Sequence, residues 1–421
     1  MTARDQSPLP PLRQGMEAFP IEHEGKKMFL LRDLEGLDSA SIALSPGAMM
    51  LASLLDGKRG PAAVRAMFAQ YTGTMLAETE IVKMVEDLAK AGMLETEETA
   101  RKRQKVLDDF RAAPSRKAAH AGTVFPQAPL ELSATLGEYF RDPKGPGKSP
   151  GAGSSPAPLG LIAPHIDFQR GGPAYAWAYQ ALSESAPPDL IVGLGVAHMS
   201  PNSPWILTKK AYETPYGPVA CDPGLFAHAK GSLWYDPLDD EWAHRTEHSL
   251  EFQAVWLKFL WKEKSPAWLP ILCSSFERFC PDRPPSTVAT IDEGLRKLGE
   301  RLLREKRAGK RILILAGIDL AHVGPRFGDD KVLGPELFAQ IEAEDRKSLD
   351  LAMALKADEF YLSVVEGGHW RKVCGLSALY TALRLMEILR DGEKTSGKLL
   401  AYGQAPDPQG GVVSFASGVF S

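Results

Sequence analysis

At 421 residues the chain is long enough for two or three domains, and its 44% hydrophobic and 24% charged residues are those of an ordinary globular protein. A net charge of −4 gives no electrostatic footing for nucleic acid or an anionic membrane surface, and no apolar run has the length of a membrane span. Cys221, Cys273, Cys280 and Cys374 form no C-x-x-C pair, and the N-terminus lacks a signal-peptide core, so a reduced, cytoplasmic protein without zinc ribbon or disulfide framework is expected.

Residues 1–16, rich in Pro and Gln, are expected to be loose. Phe19-Pro20-Ile21, a turn near Glu24-Gly25, and Met28-Phe29-Leu30-Leu31 read as a hairpin. Ser45-Pro46 starts a helix that carries Met49, Met50, Leu51, Leu54 and Leu55 and ends at Gly57. A second helix follows Gly60-Pro61, with Val64, Met67, Phe68 and Tyr71 on one face. A third begins near Glu78, buries Ile81, Met84, Val85 and Leu88, and stops at Gly92; Met93-Leu94 then starts a strand. The charged, helix-prone stretch at 98–115 reads as a linker, and 144–157, rich in Gly, Pro and Ser, as a flexible loop.

The hydrophobic pattern of 17–97 resembles the small PqqD-like winged-helix domains. That resemblance implies a peptide or protein partner for this part of the chain. DNA is disfavoured, because the third helix is acidic and phosphate contacts need Lys and Arg.

From Leu159 onward strands and helices alternate. Strands are expected at 159–163, 189–195, 268–272, 311–316, 399–403 and 412–418, and helices at 247–261, 286–306, 335–355 and 376–390. This order implies a mostly parallel sheet with helices on both faces, an α/β class fold. Three strands end alike: Leu161-Ile162-Ala163 runs into Pro164-His165, Leu194-Gly195 into Val196-Ala197-His198, and Leu315-Ala316 into Gly317-Ile318-Asp319-Leu320-Ala321-His322. Parallel strands deliver their carboxyl ends to one edge, where ligands bind in open α/β sheets. His165, His198 and the Asp319/His322 pair should therefore converge. A single histidine at a strand end is usually structural; three after three apolar runs favour a site.

Imidazole suits zinc, copper, iron and nickel, and a thiolate or carboxylate would complete such a site. Cys374-Gly375 precedes a helix, whose N-terminus favours a thiolate. The alternative, a small buried helix cap, stands level with it on spacing alone. Glu247-His248-Ser249-Leu250-Glu251 forms a further cluster in which Glu247 and Glu251 would be i, i+4 neighbours on one helix face. It could supply acid–base groups or partners that orient a histidine ligand, against the plainer reading of an acidic first helical turn. His23, His120, His228 and His369 read as non-ligands.

Taken together, Ala119-His120-Ala121-Gly122, Ala163-Pro164-His165, Val196-Ala197-His198, Thr214-Pro215-Tyr216-Gly217, Glu247-His248-Ser249-Leu250-Glu251, Asp319-Leu320-Ala321-His322 and Val373-Cys374-Gly375 resemble, in order and spacing, the Memo family, which includes the B proteins of the AmmeMemoRadiSam system. The resemblance covers 116–421. It implies a fold similar to class III extradiol dioxygenases, with one mixed sheet between helices. It also implies His165, His198 and Cys374 as metal ligands for iron, with copper the alternative, and His322 with Asp319 as the proton-moving pair. Glu247 and His248 match the catalytic stretch beside the pocket, and a radical-SAM protein is an implied partner. This chain departs from the family at Ile166-Asp167-Phe168, Val196-Ala197 and Gly317-Ile318. Asp167 is therefore a candidate extra carboxylate for the site. The expected function is a metal-dependent redox enzyme acting on a peptide or small aromatic substrate; the alternative is a non-catalytic metal- or peptide-binding protein.

Overall fold

A computed structural model describes residues 7–13, 15–33, 35–37, 41–151, 153–199, 201–331, 333–407 and 410–421. The chain divides into two units, Met1–Ala112 and Ala113–Ser421.

The first unit is a small α+β domain. β1 (Met16–His23) and β2 (Lys26–Asp33) form the expected hairpin, turned by Glu24 and Gly25 at positive φ, and β3 (Ser41–Leu44) pairs with β2. Four helices follow: α1 (Pro46–Ser53), α2 (Pro61–Thr72), α3 (Glu78–Lys90) and α4 (Glu97–Ala112). Ser45 caps α1 by accepting from the Ala48 N–H at 3.2 Å. That helix stops at Ser53 and not at Gly57, because Leu54 and Leu55 turn into the core beside Leu51, Val64, Phe68, Ile81 and Leu88. Met93-Leu94 starts no strand; Leu94 makes one isolated bridge to Leu12. Residues 1–6 and 14, part of the stretch expected to be loose, lie outside the described residues. Within it, Arg13 is buried and held by the Gly92 carbonyl, Asp33 and Glu35. Most of the stretch expected as a linker is α4, whose Arg103 pairs with Glu35 and Glu95.

The second unit runs β4 (Ser115–Arg116), α5 (Pro129–Arg141), β5 (Gly160–Ala163), α6 (Phe168–Ser183), β6 (Leu190–Val196), β7 (Trp205–Leu207), β8 (Ala211–Tyr212), α7 (Pro223–Ser232) and α8 (Ser249–Trp261). It continues with β9 (Trp268–Cys273), α9 (Ala289–Arg307), β10 (Ile312–Gly317), β11 (His322–Val323), α10 (Pro335–Met353), α11 (Ala357–Val365), α12 (Leu376–Leu389), β12 (Gly397–Asp407) and β13 (Gly411–Phe420). The region expected as one helix over 335–355 ends at Met353, where the left-handed Leu355 breaks it; α11 was not anticipated. The Gly- and Pro-rich loop is tethered, since Gly153 donates to the Ser183 carbonyl and Trp177 to that of Lys144.

The sheet is mixed, in the order β11-β13-β5-β10-β6-β9-β7 with β12 on β13. Its centre, β5-β10-β6-β9, is parallel, and the pairings with β13 and β7 are antiparallel. Side chains alternate between two cores. Ile312, Ile314, Val192, Leu194 and Ile162 pack among residues of α7, α9, α11 and α12. Leu313, Leu315, Ile191 and Leu161 pack among residues of α5, α6 and α8. Apolar residues on both faces of a strand are what a sheet covered on both sides requires. The parallel centre brings the carboxyl ends of β5, β6 and β10 to one edge.

Candidate functional site: a histidine and cysteine cluster at the sheet edge

Two glycines let α8 press against that edge. A Cβ on Gly195 would lie 2.6 Å from Ser249 Oγ, and one on Gly317 would lie 2.6 Å from the Ser249 carbonyl oxygen. The first turn of α8 is then clipped to the strand ends. Ser249 Oγ accepts from the Val196 N–H and donates to the Val196 carbonyl, each at 3.0 Å, and Gln253 Nε2 donates to the Pro164 carbonyl at 2.7 Å. Glu247 and His248, just before the helix, are thereby held beside His165 and His198. The pairing of Glu247 with Glu251 on one helix face does not occur. α8 begins at Ser249, and the two carboxylates serve different partners.

The expected residues converge. One ring nitrogen from each of His165, His198 and His248 lies within 4.8 Å of the others. Cys374 Sγ is 3.3 Å from His165 Nε2. Two of the imidazoles have Nδ1 anchored by a hydrogen bond: His165 Nδ1 is 3.1 Å from the Gly317 carbonyl, and His198 Nδ1 is 3.0 Å from Glu247 Oε1. His248 Nδ1 stands 3.2 Å from the same Glu247 oxygen as a charge contact. Where Nδ1–H is held on an oxygen, Nε2 is the nitrogen turned toward the cluster, the arrangement of histidines that ligate metals. Glu247 also accepts the His198 N–H at 3.0 Å and the Ser249 N–H at 2.9 Å, so the carboxylate orients both backbone and ring.

The electrostatics differ from ring to ring. Burial alone would raise the Glu247 carboxyl, but the imidazoles of His198 and His248 hold it well below the usual carboxylate range. Burial would lower His198, yet Glu247 and Cys374 lift it well above the ordinary imidazole value. Burial, reinforced by His198, His165 and His120, keeps His248 well below it despite Glu247. Burial would raise the Cys374 thiol, but His165 and His198 bring it down. Asp319 is pushed up to about 6 by burial, against the pull of His322 and the His165 and Ile166 N–H groups.

Asp319 accepts the His165 N–H at 2.9 Å and stands 3.7 Å from His165 Nε2. It does not orient His322 by a hydrogen bond: His322 Nδ1 is 3.1 Å from the Leu320 carbonyl, and the His322 N–H donates to the Arg371 carbonyl at 2.7 Å. Burial lowers His322, partly offset by the Asp319 charge. Asp167 adds nothing to the cluster. It caps α6 by accepting from the Arg170 N–H, and it pairs with Arg170 Nε at 2.6 Å.

His120, read from sequence as a non-ligand, stands at the cluster's rim. Its ring lies edge-on to His248 with centroids 5.8 Å apart. Glu251 accepts both its N–H and its Nδ1, each at 2.9 Å, and is itself paired with the buried Arg116. The signal was the motif Ala119-His120-Ala121-Gly122 itself. Of the other cysteines, Cys273 is pushed up to about 12 by burial, and Cys221 likewise to about 12; none of the three approaches the cluster's donors among the described contacts.

A mixed α/β sheet with histidines and a thiol gathered at the carboxyl ends of its parallel strands defines the class: an α/β protein with a candidate metal site at the strand edge. Residues 116–419 match the family described as "Memo-like protein", and the chain belongs to the Memo family. Similar proteins include a MEMO1 family protein of Aquifex aeolicus, 26% identical over 404 residues, or 96% of this chain and 98% of that one. A MEMO1 family protein of Methanopyrus kandleri is 29% identical over 310 residues, 72% of this chain and 98% of its own length. One of Thermus thermophilus is 31% identical over 258 residues, 61% and 69%. No helix among the described residues is long and apolar enough to cross a membrane.

Proposed function

We propose that this protein is a metal-dependent redox enzyme of the extradiol-dioxygenase-like class. Iron is the first candidate metal and copper the second, and the substrate is a peptide or a small aromatic molecule. The observation that carries this reading is the set of three clustered imidazoles with Cys374 Sγ beside that of His165. Imidazole with thiolate is a donor set suited to these ions. His165, His198 and Cys374 would hold the ion, which when bound supplies oxygen or electron-transfer chemistry. His322 has Nδ1 on a carbonyl and is kept neutral by burial. Its Nε2 can therefore take a proton from a substrate hydroxyl. Asp319 sets the main chain of His165 and the charge around it, while Glu247 holds the ligand rings. The N-terminal unit would recruit a peptide or protein, and a radical-SAM enzyme is the partner to test.

Elemental analysis of the purified chain tests the metal reading. Near-stoichiometric iron or copper is expected, lost in His165→Ala with the fold retained. Metal-free protein in both forms would sink it. Oxygen uptake by the reduced, metal-loaded protein with catechols or peptides separates the enzyme from a protein that only binds metal or peptide.

A further inference from the structure

The family resemblance singles out His198, with His165 and Cys374, as a ligand. The ring positions alone do not separate His198 from His248; what tells them apart is Cys374, which reaches His165 and His198. Both rings have Nδ1 close to one oxygen, Glu247 Oε1, His198 by a hydrogen bond at 3.0 Å and His248 as a charge contact at 3.2 Å. They stack at 4.8 Å with an interplanar angle of 18°. An imidazole's two nitrogens flank Cε1 and point in widely different directions. Two near-parallel rings with Nδ1 toward the same carboxylate therefore turn their other nitrogens the same way, and one ring nitrogen of each lies within 4.8 Å of one from His165. His165 stands almost perpendicular to both, its centroid 5.0 Å from His198 and 5.2 Å from His248. Seen from His165, the two rings stand alike in distance and angle. Glu247 is almost wholly buried, and its Oε1 also accepts the Ser249 N–H at the start of α8, so the shared anchor is itself fixed.

We infer that His248 is a fourth metal donor, completing a three-imidazole, one-thiolate site, and that it is the donor an incoming ligand must displace. This rests on the metal-binding reading above. Four protein donors make a closed tetrahedral site, whereas three leave a position open for water or substrate. The ring nitrogens lie up to 4.8 Å apart, wider than the edge of about 3.4 Å that metal–nitrogen bonds near 2.0–2.1 Å give a tetrahedron. An ion would draw the rings together. Cys374 makes contact with His165 and His198, whereas His248 is tied to the cluster only through its ring and Glu247. About a third of the His248 side chain is open to solvent, as is that of His198, whereas His165 is buried. His248 can leave without disturbing the thiolate. Closed at rest and open on exchange, the site would meet oxygen only when a competing ligand arrives.

The test uses the full chain loaded with Co(II), with azide as the competing ligand. The wild-type protein should show the intense visible bands of tetrahedral cobalt together with near-ultraviolet thiolate-to-cobalt charge transfer. In His248→Ala and in His248→Asn, which keeps a polar group for Glu247, the charge transfer should persist. The visible bands should weaken toward those of five- or six-coordinate cobalt, and azide should bind about tenfold more tightly. A variant with the wild-type spectrum and azide affinity overturns the inference while leaving the metal reading intact. The wild-type spectrum can overturn the inference even if both variants misfold, because weak bands of higher coordination in the native chain contradict a closed site. Wild-type protein that takes up no cobalt removes the metal reading and this inference together.

Discussion

His165 and His244 are both buried histidines of the second unit, and only one is a ligand candidate. Both ring nitrogens of His244 are spent on protein. Its Nδ1 accepts from the Tyr212 hydroxyl at 2.6 Å, and its Nε2 donates to the Ile206 carbonyl at 3.0 Å. Burial then holds its pKa down to about 3, so it stays neutral and structural. His165 spends Nδ1 on the Gly317 carbonyl and turns Nε2 toward a thiol at 3.3 Å and a carboxylate at 3.7 Å. Burial does not distinguish the two; the partner of the second nitrogen does.

The sharpest way to break this contrast is to remove an anchor and leave the donor. Glu247 does for His198 what a carbonyl does for His165, and its charge stands 3.2 Å from His248 Nδ1. Glu247→Gln keeps the size of the side chain but removes the charge and one acceptor. Metal affinity, measured by competition with a chelator, should fall about 10- to 100-fold, the usual cost of losing such an outer partner. An affinity within about twofold of wild type, with secondary structure unchanged, would mean that the ring orientation is set by packing and not by the carboxylate.

The other side of the contrast is a stability effect. Unfolded, His244 takes up a proton near its ordinary pKa of about 6.5; folded, only near 3. The folded state therefore keeps this histidine's full contribution above about pH 6.5 and loses it progressively as the pH falls toward 3, by about 1.4 kcal/mol per pH unit. All eight tryptophans lie in the second unit, so their fluorescence follows its unfolding alone. Urea titrations between about pH 6 and about pH 4.5 should show this slope. His244→Gln should flatten it by about one proton's worth while lowering stability at neutral pH. An unchanged slope would place the proton elsewhere.

The gathering of histidines at the sheet edge was legible in sequence because apolar runs that end in histidine are a local pattern. β5, β6 and β10 carry theirs in plain view, and the parallel order follows from alternation with helices. What sequence concealed was which side chain pairs with which. Glu247 and Glu251 have helical spacing, yet a 3-10 turn over Glu241–Arg245 and a late helix start put Glu247 outside α8. His120 lies about 130 positions before Glu251, a separation that no periodicity reports. Glycines at Gly195 and Gly317 decide how near α8 can come, and their meaning emerges only when the opposing Ser249 is placed.

The smallest effect belongs to Asp167, two residues beyond His165 and the most conspicuous oddity of the sequence. Proximity in the chain made it a candidate ligand, but the backbone turns between the two. His165 ends a strand's run toward the cluster, whereas Asp167 starts α6 and accepts from the Arg170 N–H at 3.1 Å. Its carboxylate is committed to that helix and to the Arg170 guanidinium, in a pair exposed enough to add little by itself. Asp167→Ala should cost about 1 kcal/mol of stability, the worth of an N-cap. Asp167→Asn, which still caps, should cost a few tenths at most. Neither should change metal content or the affinity measured by chelator competition. A loss of metal in Asp167→Asn would show that the charge reaches the cluster, and the rule drawn from His165 and His244 would then have to include charges that touch no ring nitrogen at all.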